Sequence, residues 1–131
     1  MRRILSSFVC QLIFASVTLS QQIVLDNFLK TGNYYLLNKE FIQKEKSLSK
    51  YEQLFYSSFI LSAYNQPEDS NNQIKQLFAA YQTRMSESIK AELYETRITN
   101  AVRLFEYRAA WEDSNHLVEK YSTHLDSKKL D

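Results

Sequence analysis

The chain has 131 residues, 14% of them aromatic, with one cysteine, one proline and one glycine. That length allows a single domain with a modest core, and the composition is too aromatic for a disordered chain and too poor in turn-formers for a many-stranded sheet protein. The formal charge of +1, from 16 basic and 15 acidic residues, gives no electrostatic case for nucleic acid.

Residues 1–20 have the layout of a secretory signal. Arg2 and Arg3 form a charged start, Ile4 to Leu19 a largely apolar run of 16 residues, and Thr18 and Ser20 a small or polar end before Gln21-Gln22. A membrane anchor needs about 20 apolar residues, and this run is shorter and carries Ser6, Ser7, Gln11 and Ser16. A lipid-bearing Cys10 lacks the usual small-residue box. Cleavage near Ser20 removes Arg2 and Arg3, so 14 basic residues face 15 acidic ones and the net charge becomes −1. It also removes Cys10, leaving no thiol or disulfide chemistry. The reading is an exported protein, periplasmic or at the cell surface, that meets the membrane only during export.

The remainder reads as six helices in three pairs. Breaks fall at Thr31-Gly32-Asn33, Ser47-Leu48-Ser49, Asn65-Gln66-Pro67, Gln82 to Ser86 and Phe105-Glu106-Tyr107. Gly32 can take the left-handed conformation that ends a helix, and Asn33 can cap the next. Ser49 with Glu52 fits a capping box, and Asn65 with Glu68 fits another. Pro67 sits in a first turn, where its missing N–H costs nothing, and Ser86-Glu87 supplies a cap and a favourable charge.

Between the breaks the apolar period is helical. Ile74, Leu77, Phe78 and Tyr81 make one stripe, and Ala91, Tyr94, Ile98, Ala101, Val102 and Phe105 another. Tyr107, Ala110, Trp111, Ser114, Leu117, Val118, Tyr121 and Leu125 make a third. No segment alternates with period two, so strands are not expected. The fold class is all-α: three stacked antiparallel helical hairpins, at about 22–46, 49–81 and 86–123, within one helical-repeat domain over 21–131.

The pairs repeat. Turn centres at Asn33, Gln66 and Glu106 lie 33 and 40 residues apart, in the range of helical-hairpin repeats. Three residues past Tyr34, Pro67 and Tyr107 stand Leu37, Ser70 and Ala110, where a small residue lets two helices approach, with Ser58 in the same role on a facing helix. In this reading Ala110 is small because a helix presses on it, and Trp111 fills the adjacent groove.

Leu104-Phe105-Glu106-Tyr107 followed by Ala110 resembles the Leu-Gly-Asp-Tyr…Ala corner of tetratricopeptide repeats, and Thr31-Gly32-Asn33-Tyr34 resembles the same corner. The resemblance covers about residues 22 to 123 and implies an α-solenoid that binds protein. Leu37 and Ser70 stand where that family has alanine and Phe105 where it has glycine. Residues 50–74 and 93–121, following the signal, are also similar in order to the helical N-terminal region of exported bacterial proteins with a retropepsin-like aspartic protease domain. That likeness implies a helical prefix without the catalytic part. The protease motif Asp-Thr/Ser-Gly is missing, since the lone glycine, Gly32, follows Lys30-Thr31.

No catalytic motif stands out. Glu112, His116 and His124 are the candidates for a metal-dependent or hydrolytic alternative. Against it, the two histidines lie two turns apart on a helix, about 12 Å, and i, i+4 pairs on a solvated face explain the spacing equally. No cofactor is expected, because a single glycine builds no phosphate cradle. The function expected is binding a protein or peptide. Arg97, Asn100 and Arg103 at i, i+3 and i+6, with Gln53 and Tyr56, are the candidate partner-binding residues. Gly32, Pro67, Ala110 and Trp111 are the candidate structural ones.

Overall fold

The computed structural model describes residues 22–124. Among them the protein is all-α, with six helices and no strand. Helix α1 occupies residues 22–30, followed by α2 (Tyr34–Lys44), α3 (Lys50–Ala63), α4 (Pro67–Tyr81), α5 (Glu87–Arg103) and α6 (Tyr107–Tyr121). None of the described helices is long and apolar enough to cross a membrane. The expected signal segment with Cys10, and Leu125, lie outside the described residues.

Two kinds of junction alternate. The first joins α1 to α2, α3 to α4 and α5 to α6 with the same backbone each time. One residue takes positive φ: Gly32 at 66°, Asn65 at 58° and Phe105 at 61°. Its N–H donates three residues back and the next N–H donates five back. Gly32 bonds Leu29 O at 3.0 Å and Asn33 bonds Phe28 O at 2.9 Å. Asn65 bonds Ser62 O at 3.2 Å and Gln66 bonds Leu61 O at 2.8 Å, while Phe105 bonds Val102 O at 3.1 Å and Glu106 bonds Ala101 O at 2.8 Å. These are Schellman corners, which satisfy the carbonyls a helix end leaves unpaired.

The capping box expected at Asn65 is corrected here. Asn65 is spent on the left-handed position, and Gln66 becomes the N-cap without a side-chain bond. Pro67 does open α4, and Asn33 caps α2 through a 3.2 Å bond from Leu36 N–H to its Oδ1.

The second junction joins α2 to α3 and α4 to α5. A short 3-10 turn (Glu45–Ser47, Gln82–Arg84) leads to an extended, buried apolar residue, Leu48 or Met85, and then to a serine. Ser49 and Glu52 close the capping box, with Ser49 N–H donating to Glu52 Oε2 at 2.7 Å and Glu52 N–H to Ser49 Oγ at 3.3 Å. Ser86 accepts from Ile89 N–H at 3.3 Å.

Helices α4 and α5 are each about one turn longer than their counterparts α2 and α3. Helix α4 has 15 residues against 11 for α2, and α5 has 17 against 14 for α3. Those additions, 4 and 3, account for the change in corner spacing from 33 to 40 residues. Seven residues make two turns, so the same faces stay inward.

The chain divides into two compact units inside α3, one up to Tyr56 and one from Ser57 on. In the first, Leu25, Leu37, Phe41, Leu48, Leu54, Phe55 and Tyr56 are buried. In the second, Ile74, Leu77 and Leu93 are fully enclosed, each worth about 1.5–3 kcal/mol of transfer free energy. There α5 packs against both α4 and α6, with Ala91, Leu117 and Tyr121 clustered beneath Tyr94 and Ile98. Ser70 and Ala110 are buried as their position required.

Trp111 is a correction. It does not fill a groove but stands 66% exposed, one residue past buried Ala110. Val102, Phe105, Tyr107 and Val118, placed on the apolar stripes by their spacing, are exposed too. Periodicity puts a side chain on an arc of its helix, but whether a neighbour covers that arc depends on distant chain.

Candidate functional site

All five residues expected to bind a partner already have polar partners within the molecule. Asn100 is fully buried. Its Nδ2 donates to Ser70 Oγ at 2.8 Å and Asn71 Oδ1 at 2.9 Å, and its Oδ1 accepts from Ser62 Oγ at 2.7 Å. Ser70 Oγ in turn donates to Ser58 O at 2.7 Å. Arg103 Nη1 donates to Ser62 O. This chain of polar groups links the second half of α3 to α4 and α5. Among the described residues no buried side-chain polar atom lacks a partner, so the network meets the condition that makes buried polarity tolerable.

Gln53 and Tyr56 are also occupied. Gln53 Nε2 donates to Glu45 O at 2.9 Å and Leu48 O at 3.0 Å, closing the end of the 3-10 turn. Tyr56 is 1% exposed and its hydroxyl donates to Asp26 Oδ1 at 2.7 Å. Burial first, then that carboxylate, pushes its phenol well above the usual tyrosine value.

Arg97 is half-exposed. Its Nη2 lies 3.0 Å from Asp113 Oδ1, and its guanidinium sits 5.2 Å from the Tyr94 ring centre. Tyr94 also meets Phe78 and His116, with ring centres 5.2 and 4.8 Å away. Burial raises the Asp113 carboxyl above its usual value, with Arg97 and then His116 pulling the other way. Burial likewise raises the Tyr94 phenol.

The residues of the metal alternative are not brought together as a set. Glu112 pairs with Arg108 at 3.0 Å on an exposed face, His116 packs its ring on Tyr94 and Tyr121, and His124 lies in the 3-10 turn after α6. Among the described residues no three of His, Cys, Asp and Glu converge as metal ligands would.

The surface that stands out is one the sequence reading had placed inside. Tyr107, Trp111 and Val118 lie along α6 at i, i+4 and i+11, within about 40° of one another around the helix. Their exposures are 62%, 66% and 55%. Val102 and Phe105 extend the strip across the corner, where the Phe105 ring meets the Tyr107 edge at 6.3 Å. Large apolar side chains clustered like this mark binding surfaces, whereas the same residues scattered singly would mean nothing.

No protein-family model, no curated protein and no solved structure matches the chain.

Proposed function

We propose that this chain is an exported helical-repeat module of the tetratricopeptide-like kind that binds another protein and carries out no reaction of its own. The observation supporting it most directly is the exposed strip of Val102, Phe105, Tyr107, Trp111 and Val118. Aromatic anchors of this type supply much of the energy at protein interfaces. The binding surface is therefore moved from Arg97, Asn100 and Arg103 to α6. In keeping with its likeness to the helical prefix of retropepsin-like proteins, the module's role is to scaffold or to position a partner, as the non-catalytic prefix of an aspartic protease.

A photo-crosslinking residue at position 111, compared with one at exposed Lys75 on α4, tests the reading in the chain's native host. A discrete adduct from position 111 alone is expected, and none from either position would overturn it. Export is tested by the mass of the secreted form, which should begin near residue 21. Retention of residues 1–20 in a membrane fraction would refute cleavage.

A further inference from the structure

The outer face of α2 differs from the same face of α4 and α6. The three Schellman corners set a common register, so α2 residues map onto α4 by adding 33 and onto α6 by adding 73. Tyr35, Lys39 and Ile42 then correspond to Glu68, Asn72 and Lys75 on α4, and to Arg108, Glu112 and Asn115 on α6. Asn115 is half-buried and the other eight are exposed. On α4 the arc stays open to water even though α5 packs against that helix. It therefore points outward by its place in the hairpin, and not for want of a neighbouring helix. On α4 and α6 it is polar, as an outward arc is expected to be. On α2 it carries Tyr35 at 70% exposure and Ile42 at 66%.

The charge around these residues is one-sided. In the compact unit that ends at Tyr56 the acids are spent internally. Asp26 accepts the Tyr56 hydroxyl, Glu40 pairs with Lys44 at 2.9 Å, and Glu52 closes the capping box at Ser49. Among the described residues of that unit Lys30, Lys39, Lys46 and Lys50 are exposed, against Glu45 alone of the acids. An acidic partner complements such a surface.

The order of residues says what kind of partner. Tyr35, Lys39 and Ile42 fall within about 60° around the helix, and the two apolar ones stand about 10 Å apart along it. A helix that lies on lipid keeps its charges off the inserted face. Here Lys39 lies within the stripe, so sinking Tyr35 and Ile42 into a bilayer would draw an ammonium in with them. A protein can instead set a carboxylate on Lys39 and an apolar side chain to either side. The outward arcs of this chain that hold an acid, at Glu68 and Glu112, have no apolar residue among their three positions, so a second copy does not supply that complement from them.

We infer that the outer face of α2 docks an acidic segment of a partner protein, with a carboxylate on Lys39 between apolar contacts to Tyr35 and Ile42. This surface is additional to the α6 strip and stands or falls apart from it.

The probe is a synthetic helical peptide with leucine, glutamate and leucine along one face, made in both the i, i+4, i+7 and the i, i+3, i+7 spacings. The readout is the amide shifts of Tyr35, Lys39 and Ile42 in the isotope-labelled full chain. Shifts centred on α2 are expected, with binding about fivefold weaker when glutamine replaces the glutamate. Lys39→Glu in the protein should transfer the preference to a peptide with lysine at that place, a reversal that loss of folding cannot produce. No shifts on α2, or equal binding of the glutamate and glutamine peptides, would overturn the inference. Shifts on α2 from phosphatidylglycerol vesicles but not from peptide would assign the face to lipid and overturn it. Shifts that follow the protein's own concentration without peptide would assign it to a second copy, with the same result. A bound peptide together with no adduct at position 111 would remove the α6 strip and leave this face standing.

Discussion

Asn100 of α5 and Ser70 of α4 meet at 2.8 Å where neither side chain reaches water. The amide fixes the axial register of the two helices, because a slide of one residue breaks its bonds to Ser62, Ser70 and Asn71 together. Asn100→Ala leaves those groups short of partners inside the protein and opens a void. The expected loss is about 2–4 kcal/mol, read from urea denaturation. A loss below about 0.5 kcal/mol would show that water replaces the amide.

Phe105 holds φ at 61° while its side chain is largely solvent-exposed. A left-handed backbone costs a residue with a Cβ about 1–2 kcal/mol that glycine does not incur. Phe105→Gly should therefore raise stability by about 1 kcal/mol despite deleting an aromatic ring, measured as a higher denaturation midpoint. A lower midpoint would mean that the contact with Tyr107 outweighs the strain.

Tyr56→Phe removes a buried bond to a carboxylate, and the expected cost is about 1.5–3 kcal/mol. The phenol's proton affinity is raised in the folded state, so its contribution is intact below about pH 10, the ordinary tyrosine value, and falls as pH climbs beyond it. Tyr94 is shifted the same way. The gap between parent and Tyr56→Phe should narrow in melts from about pH 10 upward. A gap independent of alkaline pH would separate Tyr56 from that loss.

Asp113 is shifted upward by burial even with Arg97 beside it. Its contribution is complete below the usual aspartate value of about 3.9 and declines as pH rises through the raised one. Asp113→Asn cannot titrate, so it should gain on the parent as pH rises from about 4. At neutral pH it should differ by no more than about 1 kcal/mol, since Arg97 keeps the Tyr94 face and solvent. A variant that loses ground over that rise would show the ion pair outweighing desolvation.

Ala110 tests the hairpin contact itself. It is buried three residues into α6, so Ala110→Leu should overfill the α5–α6 contact and cost about 1–3 kcal/mol. A thermal melt unchanged by the substitution would place Ala110 away from its neighbour.

Much of the fold was legible because its signals are local. Ser49 with Glu52, Gly32, Asn33, Pro67 and Ser86 act within four residues of themselves, so spacing alone locates them. Asn65 was ambiguous because asparagine suits both an N-cap and a left-handed corner, and the Schellman bonds decided between them. Asn100 was legible as a polar residue on an inner helix but not as a buried one. Its partners Ser62 and Ser70 lie 38 and 30 residues away. The α6 strip was legible as a helical face and misplaced for the same reason, since nothing near Trp111 in sequence tells whether a helix lies over it.

The growth of α4 and α5 by 4 and 3 residues has a consequence for which insertions and deletions this chain can survive. At about 100° per residue, three or four added residues bring downstream side chains back near their old direction, whereas two would swing them roughly 200° and point Asn100 at solvent. Length variation among natural variants should therefore arrive in steps of a helical turn, with single- and double-residue changes confined to the corners.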